Sequence, residues 1–170
     1  MKYSSIDQWK SKMRTLAKQN NVDVQEMQQR YILEEFARIM KDNGLLSRGQ
    51  LVECGRGDLV GKYVGWTAQT VQKKFRDAMG GVLFIDEAYS LVDGNSGSYG
   101  DEAINTIVQE MENHREDVVV IFAGYPDEME RFLQKNPGLR SRIAFHVPFA
   151  DYNSKELCKI ATLMGKNKGV

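Results

Sequence analysis

The sequence is poor in the residues that build metal sites and disulfide frameworks. Its 170 residues include only two cysteines, Cys54 and Cys158, which lie far apart and form no CxxC motif. Its two histidines, His114 and His146, have no second potential ligand at a useful spacing. We therefore expect neither a disulfide framework nor a metal site built from cysteine or histidine.

Long hydrophobic runs and an excess of charge are also missing. The apolar runs are no longer than a strand, and the first residues are polar, so we expect neither a transmembrane helix nor a secretory signal. Lysine and arginine total 23, and aspartate and glutamate also total 23, which gives a formal net charge of zero. These features predict a soluble, cytoplasmic protein and give no indication of a nucleic acid or membrane partner.

The spacing of apolar residues divides the chain into a helical beginning and a mixed remainder. Two helices are predicted over residues 5–19 and 23–42, the second with Asp23 and Glu26 as a capping box and Gly44 as its stop. From residue 50 onward, predicted strands alternate with predicted helices, and this alternation favours an α/β fold with a parallel sheet. The predicted strands cover residues 50–54, 80–85, 118–122 and 143–147, and the predicted helices cover 67–79 with Thr67 as N-cap, 101–113, 127–134 and a segment from Ser154 capped by Asn153 and Glu156.

The most informative stretch is GGVLFIDEAYSL, residues Gly80–Leu91. Its apolar run is typical of a strand buried on both faces, and the run ends at the adjacent carboxylates Asp86 and Glu87. At the carboxyl end of a parallel strand, the first acid can hold a Mg²⁺ shell and the second can orient or deprotonate a water molecule. Taken alone, the same pattern is also compatible with a strand that ends in a solvated acidic turn.

Three further motifs surround this stretch in a fixed order. They are DLVGKYVGWTA at Asp58–Ala68, VVVIFAGYPDEM at Val118–Met129 and NPGLRSRI at Asn136–Ile143. With these motifs, the chain from about Ala37 onward resembles the AAA+ ATPases of the stage V sporulation protein K and CbbX (red-type rubisco activase) type. The resemblance implies a three-layer α/β fold with the parallel sheet of P-loop NTPases, here incomplete and preceded by an N-terminal helical segment, residues 1–36.

The resemblance also implies roles for individual residues. Asp86 would be the Walker B acid that faces Mg²⁺, and Glu87 would activate the attacking water. Arg140 and Arg142 lie where relatives supply an arginine finger to the neighbouring subunit's nucleotide, and the sequence does not indicate which of the two acts. Tyr125 lies near the sensor position. The alternative for either arginine is a solvated loop charge.

Tyr63 and Val64 lie where such proteins present an aromatic loop to the central pore of a ring. An aromatic side chain flanked by glycines can grip an extended polypeptide without reading its sequence. The alternative is a turn in which Gly61 and Gly65 serve only the backbone geometry. A dinucleotide-binding loop at residues 55–61 is disfavoured, because its third glycine comes one position too late for GxGxxG.

The phosphate-binding motif of this family, GxxxxGK[ST], does not occur in the sequence. Gly61-Lys62 and Gly165-Lys166 both lack the first glycine and the final hydroxyl residue. The chain also stops after the first helix beyond the last predicted strand, so we expect the helical lid of relatives to be absent. ATP and Mg²⁺ are the cofactors that the resemblance implies, but we expect weak or no ATP hydrolysis by this chain alone.

The segment that replaces the phosphate loop, residues Trp9–Phe36, resembles the N-terminal helices of AbiEii/AbiGii-type nucleotidyltransferases but carries no active residue of theirs. A natural fusion, an engineered fusion and a gene remnant all remain open. Without the missing strand, we expect residues 143–147 to pair directly with residues 118–122, and helices from the first forty residues to cover one face of the sheet. The opposing hypothesis is exchange of a strand between chains.

Three functional hypotheses follow. The first is a truncated AAA+ core, residues 37–170, from a family that couples ATP hydrolysis to the remodelling of a protein partner in a ring, usually a hexamer. The second is a non-catalytic module that binds a protein. The third, a nucleotidyltransferase fragment, lacks any catalytic carboxylate motif.

Overall fold

The computed structural model describes residues 6–61, 63, 65–92, 99–158 and 162. The elements in chain order are α1 (Ile6–Asn20), α2 (Val24–Asp42), β1 (Leu51–Cys54), α3 (Arg56–Leu59), α4 (Trp66–Asp77), β2 (Val82–Ile85), a 3₁₀ turn (Ala88–Leu91), α5 (Tyr99–Asn113), β3 (Val119–Phe122), α6 (Pro126–Lys135) and α7 (Pro137–Arg140). A further helical segment covers residues 154–158. The loop predicted at residues 93–98 lies outside the described residues.

The three strands form one parallel sheet in the order β1-β2-β3. Leu51 of β1 lies opposite Val82 of β2, and Val82 lies opposite Val119 of β3. Helices connect the strands, as parallel pairing requires. The predicted α/β fold with an incomplete parallel sheet is confirmed.

Side chains leave the sheet alternately toward two helical layers. On one face, Leu83 and Ile85 join the large core cluster with Val71 and Phe75 of α4 and Ile107 of α5. Burying a side chain the size of Phe75 contributes about 2–3 kcal/mol. This cluster forms the main core of the described residues.

The opposite face of the sheet is covered by α2. Ala37 and Met40 of this helix, together with Leu46, pack against apolar side chains of all three strands: Leu51, Val82, Val119 and Ile121. The expectation that a helix from the first forty residues covers one face is therefore confirmed. No helix among the described residues is long and apolar enough to cross a bilayer.

Two of the predicted helix starts have different outcomes. Asp23 is the N-cap of α2, since its carboxylate accepts a hydrogen bond from the backbone N–H of Gln25 at 2.7 Å. Thr67 was predicted as the N-cap of α4, and that prediction is wrong, because the helix begins at Trp66 after Gly65. Thr67 is instead fully buried, and its hydroxyl accepts the N–H of Gly61 at 3.1 Å.

The predicted strand over residues 143–147, and its pairing with β3, are wrong. Residues 143–150 lie in no helix or strand, and Phe145 and Val147 are exposed. The short helix α7, which the sequence did not predict, holds the start of this segment, because the N–H of Ile143 donates to the carbonyl of Leu139. Among the described residues, no strand pairs with the outer edge of β3.

Candidate functional site

The acid pair lies at the carboxyl end of β2, as predicted. All four residues of β2 are buried, and the strand's hydrogen bonding continues one residue further because the N–H of Asp86 donates to the carbonyl of Cys54 at 3.0 Å. One carboxylate oxygen of Asp86 accepts the N–H of Glu87 at 3.0 Å. Both acids are exposed. The fold therefore holds two solvated carboxylates at the edge where parallel sheets bind ligands.

The chain turns sharply at Glu87. Its φ of +45° lies in the left-handed region, which costs a residue with a Cβ atom roughly 1 kcal/mol or more. The following residue, Ala88, is buried and donates its N–H to the carbonyl of Ala123, just beyond β3. Strand β2, the turn and the end of β3 are thereby tied together beneath the acid pair.

Two tyrosines lie beside the acid pair. Burial, followed by the nearby charge of Glu87, raises the pKa of the Tyr89 hydroxyl above its usual value. The ring centroids of Tyr89 and Tyr125 are 6.4 Å apart. Tyr125, the predicted sensor residue, is thus brought to the acid pair through Tyr89. Sequence reasoning missed Tyr89, and its position two residues after Glu87 was the only available signal.

A small cavity of about 220 Å³ opens on the other side of Asp86. Three carboxylates line it, from Asp86, Glu53 and Asp58. Burial raises the pKa of Glu53 above its usual value, and the N–H of Gly55 lowers the pKa of Asp58 by donating to its carboxylate at 3.1 Å. Sequence reasoning missed Glu53 and Asp58, because they share a cavity with Asp86 only through the pairing of β1 with β2. The cavity is too acidic to attract a polyphosphate.

Cys54 lines the same cavity, but its thiol is unreactive. Its thiol is buried, and burial raises its pKa to about 12. The thiol therefore stays protonated near neutral pH and is a poor nucleophile. The thiol donates to the carbonyl of Phe84 at 3.6 Å.

The acid pair fits part of a Mg²⁺-nucleotide site. Magnesium bound with nucleotide needs only one or two protein carboxylates, because water and phosphate oxygens complete its shell, and Asp86 is placed to supply one. Within the described ranges, no three or more His, Cys, Asp or Glu side chains are arranged so that they could hold a metal ion by themselves. The phosphate side does not fit, because the N-terminus of α2 is capped by the carboxylate of Asp23 rather than open to an anion.

The two predicted arginines lie away from the acid pair. Arg140 pairs with Glu130 at 3.3 Å, and Arg142 pairs with Glu112 at 3.3 Å and donates to the carbonyl of Gly138 at 3.0 Å. Glu112 lies near the end of α5, which runs antiparallel to the strands it connects. The Glu112–Arg142 pair therefore lies toward the amino edge of the sheet, opposite Asp86. One chain does not bring the arginines and the acids together.

Tyr63 occupies the segment between α3 and α4, and its side chain is exposed. Its ring meets the ring of Trp66 edge-on, with centroids 5.0 Å apart. Trp66 is also exposed, and sequence reasoning did not identify it as a partner of Tyr63. Val64 lies outside the described residues. The two aromatic rings together form an apolar surface on this segment.

Curated relatives support the assignment to one family. The chain is 52% identical to protein CfxQ of Xanthobacter flavus over 131 residues, which are 76% of this chain and 41% of that protein. It is 52% identical to protein CbbX of Cereibacter sphaeroides over 128 residues, 75% of this chain and 41% of that protein. It is 48% identical to the chloroplastic ribulose bisphosphate carboxylase/oxygenase activase of Cyanidioschyzon merolae over 134 residues, 78% of this chain and 46% of that protein.

These relatives confirm the CbbX part of the resemblance, although the chain spans less than half of their length. The family model described as "ATPase family associated with various cellular activities (AAA)" matches residues 15–150. The match starts inside α1, so it includes α2 and part of the segment that was predicted to be separate. The boundary at residue 36 stays a prediction. Because this family model matches most of the sequence, the chain belongs to the AAA family of ATPases.

Proposed function

We propose that the chain is an AAA+ ATPase-type module whose own ATP hydrolysis is impaired by the absence of a phosphate-binding loop. In this proposal, Asp86 is the Walker B acid that faces Mg²⁺, and Glu87 orients the attacking water. The observation that carries the proposal is the position of both carboxylates at the exposed carboxyl end of a buried parallel strand. Tyr89, whose hydroxyl pKa is raised in part by the charge of Glu87, would hold the carboxylate in place.

The impairment is proposed because phosphoryl transfer depends almost wholly on positioning and electrostatics. The helix that precedes β1 presents a carboxylate at its N-terminus instead of free N–H groups. The nearest cavity adds the negative charges of Glu53 and Asp58. Both features disfavour the γ-phosphate that Asp86 and Glu87 would need beside them.

The arginines fit a role between subunits. Arg142 lies toward the edge of the sheet opposite Asp86, and Arg140 pairs with Glu130, so either would act on a neighbouring chain's nucleotide rather than its own. Each would first leave its ion pair with Glu130 or Glu112. This role requires a ring, which is hexameric in the family, and we propose that Tyr63, with Val64, contacts a protein substrate in its pore.

The second candidate function is a non-catalytic module that binds a protein, located in the cytoplasm. The capped N-terminus of α2 favours it, because this feature removes a phosphate site while the sheet is retained. The kinship with stage V sporulation protein K and the likeness of residues 1–36 to nucleotidyltransferase helices remain predictions of the sequence. Neither contributes a catalytic residue to the site.

A calorimetric titration of Mg-ATP into the purified chain tests the proposal. We expect no saturable heat, and no phosphate release above that of the buffer. Matched titrations use Glu87→Gln, which keeps the side-chain shape, and a Mg²⁺-free buffer. Saturable Mg²⁺-dependent binding, with hydrolysis that Glu87→Gln abolishes, would contradict the impairment and identify the chain as an active ATPase.

A further inference from the structure

The outer edge of β3 presents unused backbone hydrogen-bonding groups. In a parallel sheet, alternate residues direct both their N–H and C=O groups to the same neighbouring strand. Val119 and Ala123 direct theirs toward β2, since their N–H groups donate to the carbonyls of Gly81 and Ile85. Val120 and Phe122 therefore direct theirs outward, where no described strand lies.

An apolar flank of α2 overhangs this same edge. Arg30 and Glu34 lie on the flank of α2 that faces Glu53 of β1, as their electrostatic effects on this carboxyl show. Met40, about a quarter-turn around the helix from Arg30, faces the sheet. The flank opposite to Arg30 and Glu34 must therefore lie on the β3 side, and its exposed residues share a helical spacing of four and three: Ile32, Phe36 and Ile39.

The edge and the flank together form a step that fits one added strand. The added strand would pair its backbone with the outward groups of Val120 and Phe122. The side chains on the face of this strand toward α2 would be covered by the apolar flank of that helix. A strand that fits this step needs apolar residues at every second position on one face.

The chain itself contains such a segment, over residues 143–149. Phe145, Val147 and Phe149 recur at every second position and are 86%, 71% and 88% exposed, although they are large and apolar. Between them, Pro148 lacks an N–H group, so it suits only the solvent side of an edge strand. The residues that alternate with Pro148 direct their backbone groups the other way, toward a pairing strand.

We propose that two copies of this chain exchange these segments, so that residues 143–149 of one copy form a fourth strand on the β3 edge of the other. Within a single copy, the start of the segment is held beside α7 and α5 by the N–H of Ile143 on Leu139 and by the ion pair of Arg142 with Glu112. A reciprocal exchange satisfies both open edges and both exposed segments at once. It gives a closed dimer with two-fold symmetry, an assembly separate from the ring that the proposed arginine role requires.

The proposal is tested by light scattering after size exclusion over a range of protein concentrations. The wild-type chain is expected at twice the 19.4 kDa of a single chain. The double variant Phe145→Asp/Val147→Asp is expected to dimerise at least about tenfold more weakly. The matched control Tyr152→Asp/Leu157→Asp adds the same charge to exposed apolar positions outside the segment and should remain dimeric.

Hydrogen exchange identifies the surface that is used. The amides of Val120 and Phe122 should be protected in the wild-type chain and in the control, and should exchange faster in Phe145→Asp/Val147→Asp. Circular dichroism establishes that the variants keep the fold, which is expected because all four substituted side chains are exposed. A monomeric wild-type chain would overturn the proposal, and so would a dimer in which the segment variant changes neither the mass nor the exchange of these two amides.

Discussion

The backbone of Gly124 lies directly against the ring of Tyr89. A Cβ atom at Gly124 would come within 2.8 Å of that ring and within 2.9 Å of the sulfur of Met129. The close approach allows Tyr89 to pack against the segment that follows β3, where the charge of Glu87 raises the pKa of its hydroxyl. The position of Tyr89 therefore depends on the absence of a side chain at Gly124, just beyond the end of β3.

The substitution Gly124→Ala is expected to displace Tyr89 and to lower the free energy of unfolding by about 1–3 kcal/mol, because both neighbours must shift. The matched substitution Gly57→Ala, in α3, meets no atom within 4 Å and should change the free energy of unfolding by less than about 0.5 kcal/mol. Urea unfolding of the two variants measures both effects. Equal stabilities would show that the contact of Gly124 with Tyr89 is not a constraint.

The left-handed backbone conformation of Glu87 is expected to lower the free energy of unfolding. Because its φ is +45°, Glu87→Gly should raise the free energy of unfolding by roughly 0.5–1 kcal/mol. Glu87→Gln keeps the Cβ atom and should leave the free energy of unfolding nearly unchanged. Thermal and urea unfolding of both variants measure the difference. A loss of stability in Glu87→Gly would indicate that the contacts of the Glu87 side chain outweigh the strain.

The acidic cavity should give the stability a defined pH dependence. Burial raises the pKa of Glu53 in the folded chain, so the folded state binds this proton more tightly than the unfolded state, and stability falls as pH rises through that range. Glu53→Gln should therefore raise the free energy of unfolding at pH 7, by only a few tenths of a kcal/mol because the side chain is partly in water. Glu116→Gln, at an exposed position, is the control.

Asp58 should act in the opposite direction. Its pKa is lowered first by the hydrogen bond from Gly55 and then by Lys74, so its contribution is present above the usual pKa of an aspartate and is lost as the pH falls through the folded value. The substitution Asp58→Asn should reduce the free energy of unfolding at pH 7 by up to about 1 kcal/mol. The reduction should disappear in strong acid. Urea unfolding between pH 2 and pH 7 measures both, and a pH-independent reduction would contradict the assignment.

Arg140 is the arginine more easily freed for a neighbouring subunit. It has one exposed partner, Glu130, whereas Arg142 contacts both Glu112 and the carbonyl of Gly138. Arg140→Ala should leave the free energy of unfolding within about 0.5 kcal/mol, and Arg142→Ala should lower it by about 1 kcal/mol. If the wild-type chain, mixed with a full-length active relative, stimulates that relative's ATP hydrolysis, Arg140→Ala should reduce the stimulation. If Arg142→Ala alone removed it, the assignment would be reversed.

The parts of the fold that the sequence predicted are those set by local pattern. Apolar runs located β1, β2 and β3, and the Asp23 cap located the start of α2, because both signals act over a few neighbouring residues. The strand predicted at residues 143–147 was wrong because strand formation also needs a pairing partner, which a local apolar pattern cannot supply. Thr67 has the residue type of a helix cap, but its side chain is buried and its hydroxyl accepts the N–H of Gly61.

The candidate site shows the same limit. Asp86 and Glu87 were predictable because they directly follow a buried run, and their position needed no contact from elsewhere. Glu53 and Asp58 reach Asp86 only across the register of β1 on β2, and Tyr89 reaches Tyr125 only across the end of β3. The residue pattern of a single segment cannot predict which residues of other segments lie close to it.

The cap of α2 also determines how nucleotide binding could be restored. A helix N-terminus attracts one anion strongly, and in this chain the carboxylate of Asp23 is already placed there by the chain itself. A nucleotide phosphate bound there would therefore compete with an intramolecular ligand. Any repair of the site must begin by removing this internal competitor, at the cost of the helix start that it stabilises.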